Sequence, residues 1–248
     1  MSRILLLGGS SEAGVLAQRL AQARIDAVYS YAGAVACPKG QPLPVRVGGF
    51  GGIEGLCRYC RDHAITAIID ATHPFAAGMS NHAIAAATHL DLPLIALERA
   101  PWAAVAGDRW IEAANMAEAA ERLIGPRVFL GIGRNELAAF AGIKRHFLLR
   151  LVDQPRSAPL PDAAWIVARG PFHFSDDLAM LQEHAITCVV SKNAGGTGAY
   201  AKIAAARALS LPVIMVARPR IAPRPVVETV EGVMAWLAAH GWTQLRGV

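Results

Sequence analysis

Short aliphatic runs that alternate with glycine turns and helical segments are the feature that most constrains this chain. Residues 4–7 are continuously aliphatic, Gly8-Gly9-Ser10-Ser11 interrupts them, and residues 12–23 have helical spacing. A buried strand, a glycine turn and a helix in this order begin a β-α-β unit. Strands joined by such crossover helices pair in parallel, because the helix carries the chain back to the same end of the sheet.

The same order recurs along the remaining residues. Further strands are predicted at 27–31, 45–47, 67–70, 93–97, 127–130, 147–152, 165–168, 187–190 and 212–216, and helices at 81–89, 135–140, 176–184 and 200–209. A second glycine turn, Gly131-Ile132-Gly133-Arg134, follows the strand at 127–130. The pattern predicts an α/β protein of two doubly wound parallel-sheet modules, residues 1–125 and 126–248. The aliphatic composition, with only 6% aromatic residues, agrees with alanine-rich helices on aliphatic strands.

Two segments resemble each other and predict how each module ends. "WIEAANMAEAAERL" at 110–123 and "VVETVEGVMAWL" at 226–237 each begin with a β-like stretch and continue as an amphipathic helix. Each also follows an Arg-x-Pro or Arg-Pro sequence, at Arg99 and Arg218. We expect each segment to close the module that precedes it.

Charge and hydropathy exclude several classes of protein. The net charge of +5 is scattered, with no run of Lys or Arg longer than two residues, which argues against nucleic-acid binding. No apolar stretch reaches about 18 residues, and the N-terminal run ends in a glycine turn, so we expect neither a membrane span nor a signal peptide. A cytoplasmic protein is expected, and a monomer is compatible with the sequence.

The four cysteines do not predict a metal site. Cys57 and Cys60 form a C-x-x-C on a predicted helix, but neither a second pair nor a histidine pair completes a zinc set. Reduced structural thiols on a helix are the expectation in a cytoplasmic protein.

The first glycine turn is a candidate anion site. It brings the N-terminus of the next helix toward a ligand, and phosphates bind at such helix ends. The match to G-x-G-x-x-G is degenerate, and a capped helix without a ligand is the alternative. The predicted strand at 27–31 ends without an acidic residue for a ribose 2′-hydroxyl, whereas Ser30 with Lys39 or Arg46 suits a 2′-phosphate, which favours NADPH over NADH. The predicted cofactor residues are Gly8, Gly9, Ser10, Ser11, Glu12, Ser30, Thr72 and His73.

"DATHPFA" at 70–76 follows the strand at 67–70, where an open parallel sheet binds ligands. Pro74 keeps the preceding residue out of the helical region, so His73 is expected to be extended. Thr72 and His73 are therefore candidates to contact nicotinamide, ribose or substrate. Asp70 is expected to brace the turn rather than to transfer protons.

The second half of the chain collects cations at predicted strand ends. "SKNAGGTGAYAK" at 191–202 combines a strand end, a glycine-rich turn and a helix start with two lysines. It is not a Walker A loop, because the first lysine precedes the glycines. Cations at several strand ends predict a polycarboxylate or phosphate ligand. The predicted substrate residues are Arg134, Arg169, Ser191, Lys192, Asn193, Gly195, Gly196 and Lys202.

Five motifs together resemble a known family. "LLLGGSSEA", "DATHPFA", "ARGPF", "SKNAGG" with a following lysine, and "LPVIMVARP" occur in the order and spacing of precorrin-6A reductases, and the resemblance covers nearly the whole chain. It implies two Rossmann-like modules with an active-site cleft between them. It also implies NADPH-dependent reduction of a macrocyclic double bond (C18=C19), which converts precorrin-6A to precorrin-6B in cobalamin biosynthesis. Ala194 departs from the serine expected in this family.

The resemblance assigns roles to the candidate residues. The first module is expected to bind NADPH, and the second the carboxylates of the tetrapyrrole substrate. Thr72, His73 and Lys192 are the predicted catalytic-site residues, without a fixed proton donor. No metal is predicted.

Three alternatives to this interpretation differ in the substrate or in whether the protein is an enzyme. A cobalt-precorrin-6A reductase of the anaerobic route would need a similar carboxylate clamp. A reductase of small carbonyl compounds would usually need Tyr-x-x-x-Lys, and no tyrosine here has a lysine four residues later. A non-catalytic nucleotide or tetrapyrrole sensor would bind its ligand without turnover.

Overall fold

The computed structural model describes residues 2–32 and 40–242. Lys39, one of the two cations considered beside Ser30, lies outside the described residues. The strands are β1 (Arg3–Leu7), β2 (Ala27–Tyr31), β3 (Val45–Val47), β4 (Ile65–Asp70), β5 (Leu94–Leu97), β6 (Arg109–Ala113), β7 (Arg127–Gly131), β8 (His146–Leu151), β9 (Ala163–Val167), β10 (Cys188–Lys192), β11 (Pro212–Val216) and β12 (Val226–Val227). The α-helices are α1 (Ser11–Gln22), α2 (Gly52–Asp62), α3 (Ala77–Leu90), α4 (Met116–Glu121), α5 (Phe174–Glu183), α6 (Ala201–Ala208) and α7 (Val230–Ala239).

One predicted helix differs in kind from the expectation. Arg134–Phe140, which follows the second glycine turn, is a 3-10 helix rather than an α-helix. It is short and buries only Leu137 and Phe140. The turn after β1, in contrast, leads into the regular α-helix α1.

The chain forms two compact units, and each contains one parallel sheet. Unit 1 consists of the residues up to Arg99 and those from Arg220 onward, whereas unit 2 is Ala100–Pro219. The sheet of unit 1 has the order β12-β5-β4-β1-β2-β3, and that of unit 2 has the order β6-β11-β10-β7-β8-β9. The paired strands in both sheets run parallel. The prediction of an α/β protein with two parallel sheets is confirmed.

The closing segments are exchanged relative to the expectation. The β-like stretch expected to close the first module is β6, and it pairs with β11 in unit 2. The stretch expected to close the second module is β12, and it pairs with β5 in unit 1. The compact units therefore do not divide at the predicted boundary between residues 125 and 126. Each sheet takes one of its outer strands from a segment that was predicted to belong to the other module.

Local contacts explain where the chain changes units. After Arg99 it enters unit 2 at Trp102, whose backbone N–H donates to Asn193 Oδ1 at 2.7 Å. On the return, Ala222 N–H donates to Asn81 Oδ1 at 3.1 Å in unit 1. Each connection is thus hydrogen-bonded to its new unit before β6 or β12 begins. The periodicity of strands and helices in the sequence does not predict these contacts.

Strand side chains alternate between two hydrophobic layers in unit 1. Ile4 and Leu6 pack with α1 and α7, whereas Leu5 and Leu7 pack with α2 and α3. A strand buried on both faces has no polar side, which is why β1 is a continuous aliphatic run in the sequence. In unit 2, Phe129 lies in the corresponding core with residues of α5 and α6.

Candidate functional site

In a parallel sheet, all carboxyl ends and the turns after them lie at one edge. We call the turns after β1–β5 and β12 the first edge, in unit 1. The turns after β6–β11 form the second edge, in unit 2. Open parallel sheets bind their ligands outside this end of the strands.

The glycine turn at the first edge is shaped by Tyr29 of the neighbouring strand β2. A Cβ at Gly8 would lie 2.1 Å from the Cζ atom of Tyr29, so a larger residue cannot fit without moving the ring. Gly9 has φ of +135°, which glycine adopts without strain, and its N–H donates to the Tyr29 hydroxyl at 3.2 Å. The backbone between β1 and α1 is therefore in close contact with the Tyr29 side chain of β2.

Ser10 is the N-cap of α1. Its Oγ accepts a hydrogen bond from the N–H of Ala13 at 3.1 Å and donates to the carbonyl of Ala71 at 2.8 Å. The hydroxyl proton of this predicted cofactor residue is thus used within the protein and does not point to a ligand. The first N–H groups of the 12-residue helix α1 still lie at the first edge, where they favour an anion.

Glu12, in the first turn of α1, is paired with an arginine that the sequence analysis did not select. Its Oε2 accepts hydrogen bonds from Arg99 Nη1 at 2.6 Å and from Ser11 Oγ at 3.0 Å. Burial opposes ionisation of Glu12, but the bond from its own backbone N–H and the Arg99 charge outweigh it and lower its pKa. The structure thus neutralises the acid where an anionic ligand would approach. Arg99 lies two residues after β5, and its Arg-x-Pro sequence gave no indication of this ion pair.

Ser30 and Arg46 meet at the ends of β2 and β3. Ser30 is buried, and its Oγ accepts a hydrogen bond from Arg46 Nη1 at 3.0 Å. The guanidinium also donates to the carbonyl of Gly48 at 2.8 Å and stacks 3.8 Å above the ring of Phe50. Burial lowers the pKa of Arg46, although an arginine remains charged at neutral pH. A fixed positive charge therefore lies beside the serine selected from the sequence.

A small cavity of about 30 Å³ lies between Ser30 and the turn after β4. It is lined by Leu7, Gly8, Ser30, Ala32, Gly48, Gly49, Phe50, Thr72 and Met79. The structure thus brings together three of the predicted cofactor residues, Gly8, Ser30 and Thr72, although they are distant in sequence.

The turn after β4 is organised by Asp70, as expected. Its Oδ1 accepts hydrogen bonds from Thr72 Oγ1 at 2.7 Å and from the N–H of Thr72 at 3.2 Å. His73 Nδ1 accepts a hydrogen bond from the N–H of Phe75 at 3.2 Å, so the neutral ring carries its proton on Nε2. Asp70 therefore acts as a brace, and the orientations of Thr72 and His73 are set by local hydrogen bonds.

At the second edge, Lys192 is paired with a carboxylate. Its Nζ lies 2.8 Å from Glu136 Oε1, and both side chains are mostly buried. Glu136 belongs to the 3-10 helix and also contacts Gly133, where a Cβ would lie 2.4 Å from Oε2. Glu136 could not be selected from the sequence, because an acid on a short helix carries no distinctive pattern.

The glycine-rich turn after β10 is fixed from both sides. Asn193 uses its whole amide on Trp102: Oδ1 accepts from the backbone N–H, and Nδ2 donates to the carbonyl at 2.9 Å. Arg218 Nε donates to the carbonyl of Asn193 at 3.0 Å. Gly195 has φ of +70°, and a Cβ there would lie 2.1 Å from the carbonyl oxygen of Ala100. Asn193 and Gly195 therefore shape the turn, which differs from the expected direct contact of Asn193 with substrate.

Gly196 serves the same turn. It has φ of +69°, and its carbonyl accepts a hydrogen bond from the indole Nε1 of Trp102 at 2.7 Å. Trp102 and Arg218 are thus structural partners of this motif. These partnerships were not predicted from the sequence, since each residue lies far from the motif in the chain.

Two predicted substrate residues lie inside unit 2 instead of at its surface. Ser191 is fully buried, and its Oγ donates to the carbonyl of Lys192 at 3.2 Å. Lys202 is 4% exposed, and its Nζ donates to the carbonyl of Ala199 at 2.7 Å. Neither side chain is therefore placed to contact a ligand at the surface, because the strand and the helix that carry them face the core at these positions.

Burial changes the acidity of Lys202. It lowers the pKa of the ammonium to about 7, and the charges of Arg150 and Lys192 act in the same direction, whereas Asp177 opposes them. Arg150 and Asp177 form a buried ion pair of their own between β8 and α5. Lys202 therefore loses its proton more readily than an ordinary lysine.

The two predicted arginines at the second edge are exposed. Arg134 begins the 3-10 helix, and Arg169 follows β9. Arg169 Nη2 lies 2.9 Å from Asp153 Oδ1, in the turn after β8. Both positions suit a ligand approaching from solvent.

The described part of the chain contains no helix long and apolar enough to cross a membrane. Among residues 2–32 and 40–242, no group of three or more His, Cys, Asp or Glu side chains is placed to hold a metal ion. Cys57 and Cys60 are buried on α2, and burial raises the pKa of Cys60 to about 11. Their surroundings are those of structural thiols.

The fold and the two edges define a class: a parallel α/β protein of two units with the same strand order, with polar and cationic side chains where such sheets bind ligands. A family model described as precorrin-6x reductase CbiJ/CobK matches residues 3–238. The chain belongs to this family of precorrin-6x reductases, and is therefore an oxidoreductase by class.

Individual relatives agree with this membership. The chain is 51% identical over 252 residues to a precorrin-6A reductase from Rhodobacter capsulatus, with 100% of both sequences covered. It is 31% identical over 247 residues to a cobalt-precorrin-6A reductase from Priestia megaterium, with 93% of this chain and 96% of the relative covered. A solved structure titled CobK precorrin-6A reductase superposes with a TM-score of 0.95 at 51% identity and covers 100% of both chains.

Proposed function

We propose that this chain uses NADPH to reduce the C18=C19 double bond of precorrin-6A, which gives precorrin-6B in cobalamin biosynthesis. In this proposal the first edge binds the cofactor and the second edge binds the carboxylates of the macrocycle. Family membership supports the reductase activity. The relative named as a precorrin-6A reductase is 51% identical, against 31% for the one named as acting on the cobalt-containing compound, which favours the cobalt-free substrate.

The pairing of Ser30 with Arg46 is the observation that carries the choice of NADPH. A 2′-phosphate needs a cation where an NAD-binding protein places an acid for the ribose hydroxyl. β2 ends at Tyr31 without an acid, and the guanidinium of Arg46 is held beside it by Ser30, Gly48 and Phe50. The residues present therefore fit a phosphorylated dinucleotide.

The rest of the first edge suits the other parts of this cofactor. The start of α1 offers N–H groups to the pyrophosphate. When bound, the cofactor supplies the hydride, and the surrounding residues hold the nicotinamide. Thr72 Oγ1 gives its proton to Asp70 and lies 3.4 Å from Ser80 Oγ, so one lone pair remains as an acceptor for a carboxamide N–H group. The His73 ring is fixed by the hydrogen bond from the N–H of Phe75, and in this proposal it contacts the nicotinamide region as a positioning group.

The second edge suits a polycarboxylate. Arg134 and Arg169 are exposed, and Lys192 lies nearer to the sheet with Glu136. Carboxylates of the substrate would bind the arginines through charge-assisted hydrogen bonds and share Lys192 with Glu136. The reduced ring also gains a proton, and no single residue is assigned to donate it.

The activity is tested by mixing the purified protein with NADPH and precorrin-6A. We expect loss of the NADPH absorbance together with a change in the macrocycle spectrum and a product heavier by two hydrogens. A parallel reaction with cobalt-precorrin-6A tests the anaerobic alternative. Binding of both ligands without oxidation of NADPH would support a sensor and contradict the enzymatic proposal.

The cofactor assignment is tested with Arg46→Gln. Loss of a partly buried charge-assisted bond to the 2′-phosphate, worth about 1.5–3 kcal/mol, should raise the KM for NADPH by about 10- to 100-fold. The KM for NADH should change little, since NADH has no group for Arg46 to bind. Arg61→Gln, on the exposed end of α2, is the matched control. An equal effect on both cofactors would remove Arg46 from the 2′-phosphate site.

A further inference from the structure

A buried arginine outside the predicted site lies beneath the turn that carries Thr72. Arg224 is 8% exposed and belongs to the segment that precedes β12. Its Nη2 lies 2.5 Å from Glu98 Oε2, after β5, and its Nε lies 3.8 Å from Asp70 Oδ2, at the end of β4. One guanidinium thus joins the carboxyl ends of two neighbouring strands.

The contact between Arg224 and Asp70 is electrostatic. Asp70 Oδ2 and Arg224 Nε are both buried and have no hydrogen-bond partner in the described structure. A buried carboxylate that lost its neighbouring cation would be left uncompensated, which is costly. Arg224 therefore places its positive charge next to Oδ2 of Asp70, although the two side chains do not form a close hydrogen bond.

The other oxygen of Asp70 connects this cluster to the site. Asp70 Oδ1 accepts both the hydroxyl and the backbone N–H of Thr72. An ionised carboxylate accepts only, so it fixes the direction in which the Thr72 proton points.

The backbone holds Arg224 at this position. The N–H of Ala96 donates to the carbonyl of Pro225 at 2.9 Å, and the N–H of Glu98 donates to that of Val227 at 2.9 Å. The N–H of Ala222 donates to Asn81 Oδ1 on α3. The segment that carries Arg224 is therefore held between α3 and strand β5.

We propose that Arg224 is a positioning residue for the reductase reaction, acting through Asp70 to hold the Thr72 hydroxyl as an acceptor toward the nicotinamide. The proposal rests on the proposed function, because it assigns Thr72 to the cofactor. It gives a catalytic consequence to the exchanged strand: the segment that brings β12 into unit 1 also completes the turn after β4.

The test is a double-mutant cycle with Arg224→Met and Thr72→Val. Each single variant should lower kcat at least tenfold, with a smaller effect on the KM for precorrin-6A. The double variant should be no slower than the slower single variant, because both changes remove the same interaction. Arg224→Lys should recover part of the lost kcat, since it returns a charge near Asp70. Arg220→Met, an exposed arginine in the same segment, should keep the wild-type kcat.

Circular dichroism and thermal unfolding show whether each variant is folded, and the cycle is run with Arg224→Lys if Arg224→Met is not. Multiplicative losses in the double variant would overturn the role of Arg224, as would an unchanged kcat in a folded Arg224→Met variant. Wild-type protein that does not oxidise NADPH with precorrin-6A would instead contradict the proposed function, so the two failures are distinct.

Discussion

The two units have the same strand order, yet their opening turns are built differently. By sheet register, Leu7 of β1 opposes Asp70, and Gly131 of β7 opposes Ser191, so the two turns are equivalent. The turn after β1 leads into the 12-residue helix α1, whereas the turn after β7 leads into a 3-10 helix. Only the first turn therefore presents the start of a regular α-helix at the ligand edge.

Lys202 accounts for a second part of the difference. Its side chain covers Gly131, where a Cβ would lie 2.9 Å from both Cδ and Cε of the lysine. A phosphate needs to approach the backbone of such a turn closely. In unit 2 that space is filled by the protein's own cation. The comparison supports the cofactor in unit 1 and the polycarboxylate in unit 2, although the scaffold is shared.

The charges at the two edges follow the same division. At the first edge, carboxylates at the ends of the strands and at the start of α1 are neutralised by Arg99 and Arg224. At the second edge, Lys192 is paired with Glu136, and Arg169 is paired with Asp153. Under the proposed function, the neutralised first edge suits the cofactor, and the second edge presents cations that the carboxylates of the substrate can share.

The largest expected effect concerns the backbone approach at the first edge. Gly8→Ala places a Cβ against the Tyr29 ring, so we expect a loss of about 3 kcal/mol of unfolding free energy, at the upper end for overpacking, and at least a tenfold weaker NADPH affinity. Urea denaturation and fluorescence titration with NADPH measure the two quantities.

Gly14→Ala is the matched control, because Gly14 is in α1 and a Cβ there has no atom within 4 Å. That change should raise stability by up to about 1 kcal/mol. Replacing Tyr29 with alanine in the Gly8→Ala background should restore cofactor affinity in part. A Gly8→Ala protein with wild-type stability and affinity would show that the close approach is not needed.

The second prediction concerns Lys202 and its dependence on pH. The pKa of Lys202 is about 7 in the folded protein and about 10.5 when the chain is unfolded. The unfolded chain thus binds more protons between these values, so this lysine makes stability rise as pH rises from 7 to 10.5, by at most about 1.4 kcal/mol per pH unit. Lys202→Met removes this slope, so the variant should gain most relative to wild type below pH 7.

The difference in stability between Lys202→Met and wild type is measured from unfolding free energies at about pH 6.5, 8 and 9.5. Lys144→Met, at an exposed position of unit 2, should show a difference that does not change with pH. A pH-independent difference for Lys202→Met would mean that the buried ammonium keeps an ordinary pKa, and the contrast between the two turns would then rest on shape alone.

Most of the fold could be predicted because its signals are local. Aliphatic runs, glycine turns and helical spacing give β1, α1, β4 and β10 within a few residues. The exchange of β6 and β12 was not predictable from these patterns, since two similar edge strands fit either sheet. The deciding contacts, Trp102 with Asn193 and Ala222 with Asn81, join positions far apart in the chain.

The candidate site was predictable only to the level of motifs. The motifs gave strand ends that the structure indeed gathers at two edges, including Ser30 with Thr72 around one cavity. They did not give the direction of each side chain, so Ser191 and Lys202 were expected at the surface although both are buried. The partners Glu136, Arg99 and Arg224 were not found either, because an ion pair between distant residues leaves no periodic trace.

The smallest expected effect concerns Arg169 and separates binding from stability at the second edge. Arg169 and Asp153 are each more than one third exposed, so their ion pair should contribute less than about 1 kcal/mol to folding. Arg169→Ala should therefore leave the unfolding midpoint nearly unchanged but raise the KM for precorrin-6A by about three- to tenfold, the value of one solvent-exposed carboxylate contact. Arg156→Ala, an exposed change in the neighbouring loop, should alter neither quantity. If Arg169→Ala instead lowers stability and leaves the KM unchanged, the arginine belongs to the scaffold, and the second edge binds its ligand through Lys192 and Arg134 alone.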